Sequence, residues 1–499
     1  MKPNKLPFIM PGICLAMVVA GVHQAAAQGS LTPPGAPAPT MKSLNQIEPR
    51  TPISSAPYTI SQAGSYYLTT NVSVTAGNAI TIASDNVTLD LNGFTISSTE
   101  ASPSGTGILL SGTRAHIHIL NGHIRGNVTE SGGVYSGSGF AHGIYFSGFD
   151  PRNVRVTSVS VSGCLYEGIF LTSSFDHATV VESCTVELVG GYGIAATSVS
   201  DSVAYTCGNS AIGAVTAHNC MGITVGSSTG LAASEASNCY GESDGGGTGL
   251  AVGDAINCGG YSIGGTGLAA DEASNCAGSS SSGTGLTVYY SAINCRGETG
   301  GNGTGLDAGN AINSYGKSNG TGTGLTANEA NNCEGSSGGG TGLSADEASN
   351  CQGYSSSGGT GLSVKYSASN CYGESDGNGN GLVTQRAINS YGESLGSGTG
   401  LSANEANNCE GSSSSGTGLD APFVVNSFGA SGGSGYGVHA NNVSNSQGNS
   451  SSGTGLYAQY VANTCSGYSA SGVGLSANIA NSCFVIGGSV NITHKYNMP

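Results

Sequence analysis

The sequence predicts an all-β chain wound as a parallel β-solenoid with rungs of about 19 residues, and three observations carry that prediction. A Gly-Leu step recurs at Leu231, Leu250 and Leu268, then every 18, 19 or 20 residues to Leu475, with Val438 standing in once. Two positions after each of these residues comes Ala or Val, Thr384 excepted, the alternation of a very short strand with its apolar side inward. Asparagine and cysteine or serine then hold their own columns, usually seven and eight positions after the leucine. A helix would need apolar residues at i, i+3, i+4 and i+7, and 85 glycines would oppose it.

The chain begins with an export signal in pattern. Lys2 and Lys5 precede the apolar run Phe8 to Val22, and Ala25, Ala26 and Ala27 precede Gln28. The expectation is a signal peptide over 1–27 and a protein that is secreted, surface-held or periplasmic. No membrane span is expected after its removal. Losing both lysines takes the formal charge from -16 to -18, and so acidic a surface argues against nucleic acid as a partner.

Residues 28–57 hold seven of the fourteen prolines, which reads as an extended linker or wrapping arm. From Tyr58 to about residue 220, period-two segments such as "AITIASDNVTLDLNGFTIS" and "HIHILNGHIRG" indicate an N-terminal cap and irregular coils. In the second, His116 and His118 should face outward, opposite Ile117 and Ile119. Residues 221–499 are the regular repeats with a short tail.

Stacking buries every unit equally, each turn ~4.8 Å above the last. Fourteen units then extend on the order of 65 Å. It also turns each column into a ladder of like side chains, so the amides from Asn238 to Asn445 can bond to one another and to turn carbonyls. The cysteine column runs from Cys220 to Cys483, with Ser314, Ser390, Ser427 and Ser446 in four of its places. Stacked Cβ atoms ~4.8 Å apart are far for an unstrained bridge, so a buried ladder of free thiols is expected.

Period, asparagine column, small inward residues and the segment "NVTLDLNGFTI" together resemble the right-handed parallel β-helix proteins of the pectate-lyase-like superfamily, of the secreted bacterial type. The resemblance covers roughly Tyr58 to Ile492. It implies right-handed winding; a left-handed coil of about 18 residues is the alternative, although its six-residue aliphatic repeat is not visible. The superfamily hosts lyases, hydrolases, carbohydrate-binding repeats and adhesins, so the fold does not choose among them.

Chemistry could sit in three places. Glu235, Asp254 and Glu272 share a column on successive turns, where stacked carboxylates invite calcium or else form a solvated edge. Tyr290, Asn310, Tyr366 and Arg386 are placed in the same column. No cofactor is expected unless calcium binds there. The irregular coils gather His116, His118, His123, His142 and His177 with Arg114, Arg125, Arg152, Arg155, Asp150, Glu167 and Asp176. The resemblance implies an arginine or lysine base beside calcium-holding acids in its lyases and clustered aspartates in its hydrolases, but neither paired aspartates nor a Gly-His-Gly segment is present. No residue is assigned as catalytic: the group reads as outward surface, and if a glycan pocket lies here its candidates are Arg114, Arg125, Arg152, Asp150, Asp176 and His177. Third, Tyr240, Tyr261, Tyr315, Tyr354, Tyr372 and Tyr391 fall near one turn of the coil, where exposed rings could stack on sugars or shield the turn.

The expectation for function is a non-catalytic rod that attaches to a polysaccharide or a cell-surface component. The alternative is a polysaccharide lyase or glycoside hydrolase with its site within 114–177. An enzyme needs acid and base converging on one point, which only a structure can show.

Overall fold

The computed structural model describes residues 48–174 and 177–498, and Arg50–Pro499 clusters as one compact unit. The expected leader and most of the proline-rich segment lie outside the described residues. Among the described residues there is no helix, and the chain winds through about 23 turns of a parallel β-solenoid.

Each regular turn contributes three strand segments. In one such turn, Leu231–Ser237 runs through the first two and Tyr240–Ser243 forms the third. Each segment pairs in parallel with its counterpart on the next turn: Leu231 with Leu250, Glu235 with Asp254, Tyr240 with Gly259. The result is three parallel faces, here the leucine, acid and tyrosine sheets. The expected ladders are therefore in register.

The inward side chains form one continuous core. In the irregular coils it is filled by large residues such as Ile60, Leu89, Ile119 and Phe140, all fully buried. Ile117 and Ile119 point in as expected, while His116 and His118 do not. In the regular coils the core thins to leucine, alanine and cysteine. Burying each leucine stabilises its turn by about 2 kcal/mol. The backbones themselves approach so closely that a Cβ on Gly249 would lie 2.3 Å from the carbonyl oxygen of Tyr261. Glycine is needed there to let the leucine and tyrosine sheets meet.

The asparagine column has a second cause besides amide pairing. Every one of these residues from Asn238 to Asn445 turns the corner in the left-handed conformation, with φ between 48° and 56°. Asparagine tolerates that region better than other residues with a side chain, except aspartate. Its exposed amide then bonds along the ladder, Asn332 Nδ2 donating to Asn313 Oδ1 at 2.8 Å and Asn408 Nδ2 to Asn389 Oδ1 at 2.8 Å.

The cysteine-or-serine column also does more than fill space. The fourteen described cysteines are free and buried. Just after several of the corners a backbone N–H faces the core, and the side chain one turn on accepts from it. Cys258 N donates to Cys276 Sγ at 3.4 Å, Cys295 N to Ser314 Oγ at 3.1 Å, and Cys371 N to Ser390 Oγ at 3.2 Å. Thiol and hydroxyl both meet that requirement; a methyl group cannot. A further buried serine column, Ser262 and Ser280 among it, accepts from a loop N–H and donates to the loop below: Ser262 Oγ donates to Gly247 O at 2.7 Å and accepts from Gly265 N at 2.9 Å.

Three irregularities interrupt the regular winding. Thr51–Ile53, within the proline-rich segment, pairs with Tyr66–Leu68 and buries Ile53, so the solenoid begins before Tyr58. One-residue bulges lift Tyr290 and Tyr366 out of the acid column, which instead receives Ser291 and Ser367. Asn310 and Arg386 stand where expected. The strands Asn127–Ser131 and Val134–Ser138 form an antiparallel hairpin across Gly132 and Gly133, whose φ values of 61° and 84° suit a tight turn.

Candidate functional site

The winding distributes the chemistry-bearing residues over three faces. On the acid sheet, Glu235, Asp254 and Glu272 are register neighbours and exposed. Glu235 and Asp254 border a depression of about 460 Å³ that also includes Thr216 and His218. A straight column on a flat face does not surround a cation, and among the described residues no group of three or more His, Cys, Asp or Glu gathers for one.

The described catalytic candidates do not all come to one point, although Arg152 N donates to Arg114 O at 2.9 Å. Arg114 Nη1 donates to Ala83 O at 3.0 Å and lies 3.4 Å from Asp85, tying one coil to the previous one. Arg152 begins the acid-sheet strand of the next turn, beside Ala115 and well away in register from Arg125, which lies on the tyrosine sheet opposite Ser162. Asp150 is buried and accepts five hydrogen bonds: from Thr172 Oγ1, from the N–H and hydroxyl of Ser173, and from the N–H and hydroxyl of Ser174, at 2.7–3.0 Å. Burial alone would raise its pKa, but these donors outweigh that and hold the carboxyl well below the usual range. It staples a loop. His177 contributes its backbone carbonyl, which accepts from Thr179 N at 2.8 Å and from Thr197 Oγ1. Asp176 lies outside the described residues.

What does lie together is on the tyrosine sheet. Two outward rows run along it. Tyr240, Tyr315, Tyr372 and Tyr391 fall in the first, and Tyr261 and Tyr354 in the second. Tyr354, Tyr372 and Tyr391 form a contiguous cluster with ring centroids 5.7 and 5.3 Å apart. Acids alternate with them: Tyr240 donates to Glu242 at 3.0 Å, and Tyr372 donates to Glu374. Partial burial, reinforced by the neighbouring carboxylate of Glu242 or Glu393, pushes Tyr240 and Tyr391 up to about 12, so both phenols are neutral donors at physiological pH.

Between the first row and the asparagine corner runs a groove parallel to the solenoid axis. One stretch of about 720 Å³ has Asn389, Asn408, Asn426 and Asn445 on one wall and Tyr391, Glu410, Phe428 and Phe484 on the other. A second stretch of about 310 Å³ repeats it beside Asn313, Tyr315 and Glu334. Amides facing aromatic rings across a linear groove offer hydrogen bonds on one side and flat apolar faces on the other. The wall made by the asparagine amides went unread in the sequence.

At its N-terminal end the same sheet carries a cleft of about 630 Å³, with His123, Arg125 and Glu187 on its floor and the hairpin as a wall. Tyr135 anchors that hairpin by donating its hydroxyl to Thr206 O at 2.9 Å. The hairpin was legible in the Gly132-Gly133 pair between alternating segments, a signal the repeat overshadowed.

In comparisons with known proteins, no family model matches the chain, and neither a curated protein nor a solved structure resembles it significantly. Among the described residues no helix is long and apolar enough to cross a membrane.

Proposed function

We propose that this chain is a secreted, non-catalytic, right-handed β-helix of pectate-lyase-like type that holds polysaccharide along its tyrosine sheet, at a cell surface or in a matrix. The linear groove between the asparagine amides and the tyrosine and phenylalanine rings supports this reading most. A glycan chain is itself linear, with hydroxyl edges for the amides and C–H faces for the rings. Glu242, Glu334, Glu374, Glu393 and Glu410 make the face acidic, so neutral or amine-bearing glycans suit it better than uronate polymers. No cofactor takes part, and calcium has no role in this binding.

Affinity electrophoresis through gels containing neutral or acidic polysaccharides tests the proposal. Neutral glycan should retard the full mature chain, and the combined Tyr354→Ala, Tyr372→Ala and Tyr391→Ala variant should run free. Equal mobility of the two in every gel would refute it.

The second reading is a polysaccharide lyase or hydrolase. Its support is the hairpin-walled cleft, which places Arg125 of the irregular coils beside His123 and Glu187. Chain cleavage abolished by Arg125→Ala would establish it.

A further inference from the structure

The repeat itself marks where its own rule is broken. On the outside of the leucine sheet, most regular coils place threonine two residues before the leucine, as at Thr229, Thr248 and Thr266, and a small residue one after it, with Asn380, Tyr436, His439 and Tyr457 among the exceptions. Three successive irregular turns depart from this. His142, Glu167 and Tyr192 occupy the threonine row, joined turn to turn by Gly143 N to Glu167 O and Gly168 N to Tyr192 O. Tyr145 and Phe170 occupy the neighbouring outward positions, one after Ile144 and Ile169, which pair in register. Threonine and a small residue suffice on most regular turns, so this block of large, chemically distinct side chains is not required by winding; a smaller ring cluster, Tyr436, His439 and Tyr457, occupies the same rows farther along.

Its geometry is that of a small binding site. His142 Nδ1 lies 2.6 Å from Glu167 Oε2 without hydrogen-bond geometry, and its Nε2 has no hydrogen-bond partner among the described residues. The imidazole stacks on Tyr145 at 4.2 Å, and Tyr145 stacks on Phe170 at 5.6 Å. Tyr192 closes one side, 5.8 Å from Phe170, and Tyr166, half exposed, the other, 5.5 Å from His142. Flat apolar rings therefore surround one free imidazole nitrogen and one carboxylate.

We infer that this block on the leucine sheet is a subsite for a single pyranose ring of a neutral glycan, stacked on Tyr145 and Phe170 and hydrogen-bonded through a hydroxyl to His142 Nε2. A hydroxyl both donates and accepts, so it suits either protonation state of the imidazole. The ring's C–H face matches the aromatic wall, and Glu167 disfavours an anionic sugar. The inference rests on reading the chain as a carbohydrate binder, but it occupies a different face from the polymer groove.

Saturation-transfer NMR on the full mature chain tests it, with methyl β-glucopyranoside, methyl β-galactopyranoside and methyl N-acetyl-β-glucosaminide as probes. At least one should receive saturation on the C–H protons of one ring face. Affinity should fall at least tenfold in Tyr145→Ala and in His142→Ala, with circular dichroism unchanged. Tyr145→Phe, which keeps the ring, should bind within about twofold of the parent, and Tyr372→Ala should not differ from it. No transfer to any probe overturns the inference, as does binding that survives Tyr145→Ala. Binding that depends on Tyr372 but not Tyr145 also overturns it while leaving the polymer groove standing. Conversely, glycoside binding that needs Tyr145, in a protein whose gel retardation ignores the tyrosine sheet, refutes the groove alone.

Discussion

Replacing Cys276 separates the size of the core ladder from its hydrogen bonding. Cys276 Sγ accepts from Cys258 N at 3.4 Å and lies 3.2 Å from Ser274 O and 3.4 Å from Ala255 O, within donating range of both. Cys276→Ser keeps an acceptor and a donor at the same place, as Ser314 and Ser390 already do on other turns. Cys276→Ala fits the space but leaves the Cys258 N–H buried and unpaired, which costs about 1–3 kcal/mol. Because a solenoid unfolds in neighbouring units, the cost is best read locally. Native-state hydrogen exchange at the Cys258 amide should accelerate about 5- to 140-fold in the alanine variant, since each 1.4 kcal/mol is tenfold. The serine variant should stay near the parent. Equal protection in the alanine and serine variants would show that the column is chosen for volume alone.

The same geometry predicts three further outcomes. Asn332 holds φ 55° and donates to Asn313. Asn332→Ala should therefore cost about 1–2 kcal/mol and Asn332→Gly less, measured by urea unfolding of the regular coils. Gly249→Ala forces a Cβ to within 2.3 Å of Tyr261 O and should cost about 3 kcal/mol or more, whereas at Gly246 the nearest atom would be 3.9 Å away and alanine should be silent in thermal melts. Asp150 has its pKa depressed in the folded state, so its contribution is present above the unfolded value of about 4 and is lost as pH falls through the folded one. The 172–174 loop should become protease-sensitive in strong acid in the parent, and already at neutral pH in Asp150→Asn.

Periodicity made the columns legible, because every turn repeats the same environment. The leucine, asparagine, cysteine and tyrosine ladders were all visible as spacings before any pairing was known. Conformation was less visible: asparagine was read as an amide ladder, while its left-handed corner and the hydrogen-bonding duty of the cysteine column depend on backbone direction. The buried serines hid inside segments that read as turns, although the recurring Gly-x-Ser phrase marks them. Face assignment failed where the period fails. Tyr290 and Tyr366 look like column members, yet a one-residue bulge moves each out. In the irregular coils, corners fall at variable positions, so Arg125 looked like a neighbour of Arg114 and Arg152 yet lies on another sheet. His142 and Glu167 are 25 residues apart and meet only because one turn there has that length.

The measurement that bears most directly on the central claim incubates the full chain with a panel of neutral and acidic polysaccharides, with and without calcium, and scores retention and polymer length together. The account predicts calcium-independent retention on neutral glycan with the polymer left intact, and loss of retention when Tyr354, Tyr372 and Tyr391 become alanine. Shortened polymer chains, with cleavage abolished by Arg125→Ala, would contradict it and move the function to the hairpin-walled cleft.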